Sequence, residues 1–229
     1  MKTIVLASNN QHKIKEFKKI LNNYQILSLK DIGYDIEIEE TGNTFEENAL
    51  IKARTIKEYL NKMNKDYIVI SDDSGLCVDS LDGKPGIYSA RYSGIHGDNQ
   101  ANRNKLLNDL KYKRNRNAHF ICTIVVLYDN DNYEIFEGRT EGTITKKEIG
   151  SKEFGYDCLF YSKDLNKTFG EASEDEKNSV SHRGRAIAKM SKKLKKISTL
   201  YWQVLIKVLL LKCNKKLLQV LRLYSATQS

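Results

Sequence analysis

Apolar residues fall into short runs and helical repeats separated by polar punctuation, and their spacing assigns most of the chain. The β-rich stretch from Lys2 to Ala7 predicts a first strand. Ser8-Asn9-Asn10-Gln11-His12-Lys13 then opens a helix whose apolar face is Ile14, Phe17, Ile20 and Leu21. A second strand is predicted from Tyr24 to Leu29. Thr44-Phe-Glu-Glu47 has the form of a capping box. The helix it opens runs to about Met63, with Phe45, Ala49, Ala53, Ile56, Leu60 and Met63 at helical spacing. Ile68 to Ile70 predicts a short strand ending in a tight turn at Asp72-Asp73-Ser74-Gly75. Lys84-Pro85-Gly86-Ile87 predicts a type II turn. A helix over Asp98 to Leu110 packs through Ala101, Lys105 and Leu106. Ala118 to Tyr128 is the strongest strand, and Tyr133 to Ile144 returns as its hairpin partner after Asn130-Asp131-Asn132. Gly138 and Gly142 predict bulges in that return strand. Glu153 to Tyr161 reads as a loop; Ser173-Glu-Asp-Glu176 is a second capping box, and a further helix opens at Ser181-His-Arg-Gly-Arg185. Strands alternating with helices predict an α/β fold with a long mixed sheet and flanking helices in two lobes.

Composition adjusts this picture in one region. The 229 residues carry a formal net charge of +9. Residues 191–229 hold nine Lys and Arg and no acid; removing those nine from 38 basic residues leaves 29, against 29 acids. The basicity therefore belongs to the tail, and the body offers no general nucleic-acid footprint. The expected organisation is a body over 1–190 and a basic Leu/Lys-rich extension over 191–229. That extension is too short and too charged to span a bilayer, which takes about 20 mainly apolar residues. It reads as a basic amphipathic helix for a membrane surface or partner, as an extra packing helix, or as a non-native extension. Cys77, Cys122, Cys158 and Cys213 are scattered without a C-x-x-C pair, which argues against zinc and for free thiols in a reducing compartment. The first residues read as a strand rather than a signal peptide, so a cytoplasmic protein is expected.

Four stretches carry candidate chemistry. Asp72-Asp73-Ser74 is either an Asp-rich surface turn or a site where Mg²⁺ relieves the repulsion of adjacent carboxylates. Ser8-Asn9-Asn10 is either a plain helix cap or a phosphate cradle at a helix N-terminus, with Lys13 adding charge. Phe154-Gly155-Tyr156-Asp157 is either a pair of core aromatics or a base-stacking loop. His182 and Arg183 stand near a helix start, where cations are disfavoured, and so suggest a bound anion or base carbonyl against the bland reading of a surface pair.

Ser71-Asp-Asp-Ser-Gly75 followed by Pro85-Gly-Ile-Tyr-Ser-Ala-Arg-Tyr-Ser-Gly94 resembles the signature of the inosine/xanthosine triphosphate pyrophosphatase family. The resemblance runs from about Lys2 to about Lys189 and implies an elongated sheet with the active site in a central cleft, usually in a homodimer. It implies Mg²⁺-dependent hydrolysis of non-standard purine nucleoside triphosphates to monophosphate and pyrophosphate. Asp73 is then the proton acceptor and a metal ligand, with Glu39 as a second ligand. Ser8, Asn9, Asn10, Gln11, His12 and Lys13 line the triphosphate, and Ser74 helps to position substrate. Phe154, Gly155, Tyr156 and Asp157 recognise the base, with Lys177, His182 and Arg183. Asn48 and Lys52, one turn apart on a helix, are supporting candidates. Cys158 stands where the family usually has proline.

Overall fold

The computed structural model describes residues 3–130 and 132–195. The chain divides into two units, Met1–Lys189 and Met190–Ser229. Of the second unit, residues 190–195 are described and helical; the readings of the basic tail otherwise lie outside the described residues. The strands and sites below belong to the first unit.

One seven-stranded mixed sheet runs β2-β1-β3-β4-β5-β6-β7. β1 (Thr3–Leu6) pairs in parallel with β2 (Gln25–Leu27) and β3 (Ile68–Val78). From β3 onward every pairing is antiparallel, through β4 (Asn117–Leu127), β5 (Tyr133–Ile144), β6 (Phe160–Ser162) and β7 (Lys167–Thr168). The helices are α1 (Gln11–Ile20), α2 (Phe45–Lys62), α3 (Asn99–Asp109) and α4 (Glu174–Val180). A further helix, α5, opens at 182 and is helical over 182–189 within the first unit. A 3-10 turn, Gly86–Arg91, follows β3.

The long strands β3 and β4 join two hydrophobic clusters. One gathers Val5, Ala49, Ala53, Ile56, Leu60, Val69, Val125 and Leu127 under α2. The other gathers Leu76, Val78, Leu106, Leu110, Ala118, Phe120, Phe160 and Phe169 near α3. Each buried aliphatic or aromatic side chain contributes roughly 1.5–3 kcal/mol, so the two ends of β3 are anchored separately. The polar stretch Asp72-Asp73-Ser74 lies between the anchors. Lys57 secures the first cluster: it is 2% exposed, and its Nζ donates to Tyr67 O, Tyr128 O and Asp66 Oδ1 at 2.9, 2.8 and 3.0 Å.

Several expectations change here. The strand does not stop at Ile70: β3 continues for 11 residues through Asp72-Asp73-Ser74-Gly75 in unbroken register with β4, Asp73 opposite Thr123. The apolar, β-branched β4 holds the polar segment extended, so the expected turn does not form. Gly75 serves close approach, since a Cβ there would lie 2.2 Å from Gly86 O. Pro85, at φ −70° and ψ −23°, does not make the type II turn, which needs ψ near about 120°. The β4–β5 register is continuous past Gly138 and Gly142, so neither is a bulge. A Cβ on Gly138 would meet His182 O at 2.0 Å, and one on Gly142 would meet Tyr161 O at 2.4 Å. Gly138 lets the start of α5 press onto the sheet, and Gly142 lets the paired strand β6 lie close beside β5. On α3 the buried side chains are Asn102, Arg103 and Leu106, while Lys105 is exposed and pairs with Asp109. The capping box of α2 is half formed: Thr44 accepts from Glu47 N–H, but the Glu47 carboxylate takes Asn43 N–H. That of α4 is complete.

Candidate active site

Successive residues of a strand point to opposite faces of the sheet, so Asp72 and Asp73 do not share one environment. Asp73 and Ser71 face α2. Ser71 Oγ donates to Ala49 O at 2.5 Å, Asn48 Nδ2 donates to Asp73 Oδ2 at 3.2 Å, and Lys52 Nζ lies 3.8 Å from Asp73 Oδ1. The Lys52 ammonium also pairs with Glu40 at 2.7 Å. Burial raises the pKa of Asp73; Lys52 opposes this and Glu40 adds to it, leaving a net rise. Asp72 and Ser74 face α1 and α5. Lys13 Nζ is 3.0 Å from Asp72 Oδ2 and Arg183 Nε is 3.2 Å from it. Burial would raise the Asp72 pKa, but Lys13, Arg183 and Lys52 hold it well below the usual carboxylate range. The repulsion expected between neighbouring carboxylates is thus relieved by the pleat and by a separate set of cations for each.

The segment 8–13 forms the turn into α1. Asn10 is the N-cap, its Oδ1 accepting from His12 N–H and Lys13 N–H at 3.0 and 3.2 Å. Ser8 Oγ accepts Asn10 N–H, and Asn9 Oδ1 accepts Lys30 N–H. The cap reading therefore accounts for amides that the phosphate-cradle reading had left free. What the segment presents to the cleft is side chains: Ser8, Asn9, Asn10, His12 and Lys13 line it. Gln11 does not; it is exposed, with Nε2 donating to Asn9 O.

Opposite stands the loop 153–157. Gly155 has a φ of +47°, a left-handed conformation that favours glycine. Tyr156 is buried, its O–H donating to Ser89 O at 2.9 Å. Phe154 is half-buried, with its ring centroid 5.0 Å from that of His12 and Lys177 Nζ 5.0 Å above its face. Lys177 pairs with Asp157 at 2.5 Å. Burial raises the Asp157 pKa against the pull of Lys177. Phe154, Gly155, Tyr156 and Asp157 line the cleft, while Lys177 lines a small adjoining hollow with His12 and Phe154. Cys158, in the place of the expected proline, is fully buried.

His182 stacks on Phe120 at 4.7 Å and 13°, and its Nδ1 is buried without a protein partner. Burial first, then Arg183 and Lys177, hold its pKa well below the ordinary imidazole value. Arg183 is 2% exposed, and each of its three nitrogens already has an acceptor: Asp72, Glu16 at 2.8 Å and Ser74 Oγ at 2.9 Å. Cations at this helix start are thus tolerated because one is neutral and the other is neutralised by protein carboxylates. Sequence reasoning missed Glu16, Lys57 and Arg103, each a charged residue whose partner is remote in the chain.

Ser8, Asn9, Asn10, His12, Lys13, Asp72, Asp73, Ser74, residues 154–157, His182 and Arg183 border one cleft with a volume of ≈ 1230 Å³. It is floored by Asp72, Asp73 and Ser74, with Glu39, Glu40, Lys52 and Arg91 on one wall. Among the described residues no cluster of three or more His, Cys, Asp or Glu forms a ready-made metal cage. The donors present are carboxylate oxygens. Glu39 is exposed on the cleft wall, whereas Glu40 is the acid joined to Asp73 through Lys52. Asp72 Oδ1 is buried without a protein partner. One or two carboxylates, completed by waters and substrate phosphates, suit a hard octahedral cation such as Mg²⁺.

A mixed α/β sheet with carboxylates on the cleft floor, cations beside them and an aromatic wall has the build of an enzyme of phosphate-anhydride chemistry. The chain belongs to the Ham1 family, whose pattern matches residues 4–193. It is 50% identical over 202 residues to a dITP/XTP pyrophosphatase of Clostridium perfringens, spanning 86% of this chain and 99% of that protein. A dITP/XTP pyrophosphatase of Bacillus subtilis is 47% identical, over 85% of this chain and 98% of its own. Among solved structures, the Staphylococcus aureus Ham1 protein superposes with a TM-score of 0.77 at 41% identity, covering 85% of this chain and 99% of that one.

Proposed function

We propose that this protein hydrolyses non-standard purine nucleoside triphosphates, ITP, dITP and XTP, to the monophosphate and pyrophosphate. The observation that carries the reading is the placement of Asp73. It is a buried carboxyl of raised pKa at the polar centre of β3, between the side chains of 8–13 and the loop 153–157. A carboxylate that holds protons more tightly than usual is suited to take one from a water molecule near neutral pH. Asp73 accepts the proton of the water that attacks the α-phosphorus, and Asn48 and Lys52 fix its orientation. Lys13, with Ser8, Asn9 and Asn10, holds the phosphate tail, and Ser74, steadied by Arg183, helps to place it. Asp73 with Glu39 or its neighbour Glu40 would hold Mg²⁺, which would supply neutralisation of the phosphate charge.

On the base side, Phe154 supplies the stacking face. Lys177 and His182 supply donors for a 6-oxo group, while Arg183, engaged by Asp72, Glu16 and Ser74, acts by holding Ser74 in place. Adenine, with an amine there, would leave buried donors unpaired at about 1–3 kcal/mol each. The protein acts as a cytoplasmic homodimer in this reading, and the catalytic domain is the 1–190 body.

The test is pyrophosphate release with Mg²⁺ from inosine, xanthosine, guanosine and adenosine triphosphates. Release from the first two, far above the others and lost with chelator, is expected. Equal release from all four overturns the substrate assignment, and preference for a modified pyrimidine triphosphate would move the site to another class of altered nucleotide. Elution as a monomer in size-exclusion chromatography overturns the homodimer.

A further inference from the structure

The loop that carries Phe154 and Tyr156 is held from behind by a residue that does not line the cleft. Arg103, on the buried face of α3, is 3% exposed. Its Nη1 donates to Gly155 O at 2.9 Å and to Lys152 O at 3.4 Å, so one guanidinium grips the segment at both of those carbonyls. Its Nε donates to Glu148 Oε1 at 2.7 Å and its Nη2 to Gln100 Oε1 at 2.9 Å. Glu148 is held in turn by Gln100 at 3.0 Å and by Lys152 at 2.7 Å. The carboxylate thus fixes the guanidinium plane, and that plane fixes the Gly155 carbonyl. Gly155 is the one loop residue in the left-handed region, so its peptide orientation directs the flanking Phe154 and Tyr156 side chains. A lysine could neutralise Glu148 equally well, but only a planar fork reaches Glu148, Gln100 and the loop carbonyl together.

We infer that Arg103, locked by Glu148, is a positioning residue for base selectivity: it sets the stacking wall formed by Phe154 without touching the substrate. The inference rests on the substrate reading proposed above.

Two variants test it in the full-length protein, Arg103→Lys and Glu148→Gln, each assayed with inosine and guanosine triphosphates and melted in parallel. In Arg103→Lys the KM for inosine triphosphate should rise about tenfold, the size of one charge-assisted hydrogen bond, with kcat within about twofold. The preference for inosine over guanosine should narrow by a similar factor. Glu148→Gln, which keeps the shape and loses the charge, should move the same two quantities less. A lower melting temperature with an unchanged preference ratio in both variants would mean that the pair only stabilises the fold, and would overturn the inference. Should Arg103→Lys fail to fold, the ratio in Glu148→Gln decides alone. A wild-type enzyme without preference for inosine overturns the substrate reading and this inference with it; a selective wild type with unaltered variants overturns this inference only.

Discussion

Asp73 shows at the residue scale how burial prepares a group for chemistry. Its pKa is raised by burial, offset in part by Lys52 and renewed by Glu40. The proton acceptor proposed here works only when ionised, so activity should fall as pH drops through the Asp73 pKa. Mg²⁺ beside the carboxyl draws that value down, so the acid limb of kcat/KM should move to higher pH as Mg²⁺ is lowered. Asp73→Asn should lower kcat roughly 10²- to 10⁴-fold, the range for loss of a general base, and remove that limb. Nucleotide binding, measured by calorimetry with a monophosphate, should be largely kept. Turnover that survives the substitution would remove Asp73 from its role. The Asp72-Asp73-Ser74 stretch stood out in the chain, because two acids and a serine after a β-branched run are chemically conspicuous. The cations that divide the labour between Asp72 and Asp73 were less so. Lys13 and Arg183 reach Asp72 from opposite ends of the sequence, and no local pattern encodes such a meeting.

β3 is the element whose reading changed most. Polar, turn-forming residues in its middle suggested a break, because local preference alone favours a turn there. Pairing with β4 along its length outweighed that preference, and the resulting pleat sends Asp72 and Asp73 to opposite faces. The glycines of β5 follow the same logic. Gly138 is the place where α5 rests on the sheet, within reach of His182 O and Ala186 N. Gly138→Ala should therefore push α5 away and cost about 1–3 kcal/mol, as overpacking does. A urea midpoint at wild-type value would show that α5 shifts without penalty. Helices were more legible than strand ends: α2 and α4 begin at the expected caps, because a Ser or Thr with an acid three residues on is a local signal.

For the whole molecule, several buried ionisable groups tie stability to pH, with opposing signs. His182 is held neutral by burial, so its folded pKa lies below the unfolded value. The unfolded chain then binds more protons below about pH 6.5, and stability is lost as pH falls through that point. Asp72 and Glu148 are depressed, so they stabilise the fold above the unfolded carboxylate value and lose that contribution as pH falls further. For Glu148 the loss spans the interval from about 4.5 to about 2, because hydrogen bonds from Lys152, then Arg103 and Gln100, outweigh its burial. Asp73 and Asp157, both raised, act in the opposite sense and soften the carboxylate transition. Unfolding free energies from urea melts taken between pH 7.5 and 5 should fall with a slope approaching about 1.4 kcal/mol per pH unit for each proton taken up. His182→Gln should make that slope shallower, whatever it does to the midpoint at pH 7.5. An identical slope would show that the imidazole is not held neutral in the folded state.

By itself, the sequence determined the α/β class, the hairpin of β4 and β5 and the caps of α2 and α4, and it singled out four stretches of candidate chemistry. Each of these rests on short-range physics: side-chain period, capping chemistry and the scarcity of clustered acids. Tertiary structure decided how those residues are used. It kept Asp72-Asp73 inside a strand, closed the α1 cap with the Asn10 side chain, committed Arg183 to Asp72 and Glu16, and placed Arg103 behind Gly155. These outcomes depend on which distant elements meet, and an ion pair between residues 111 positions apart has no signature in either neighbourhood until the sheet brings them together.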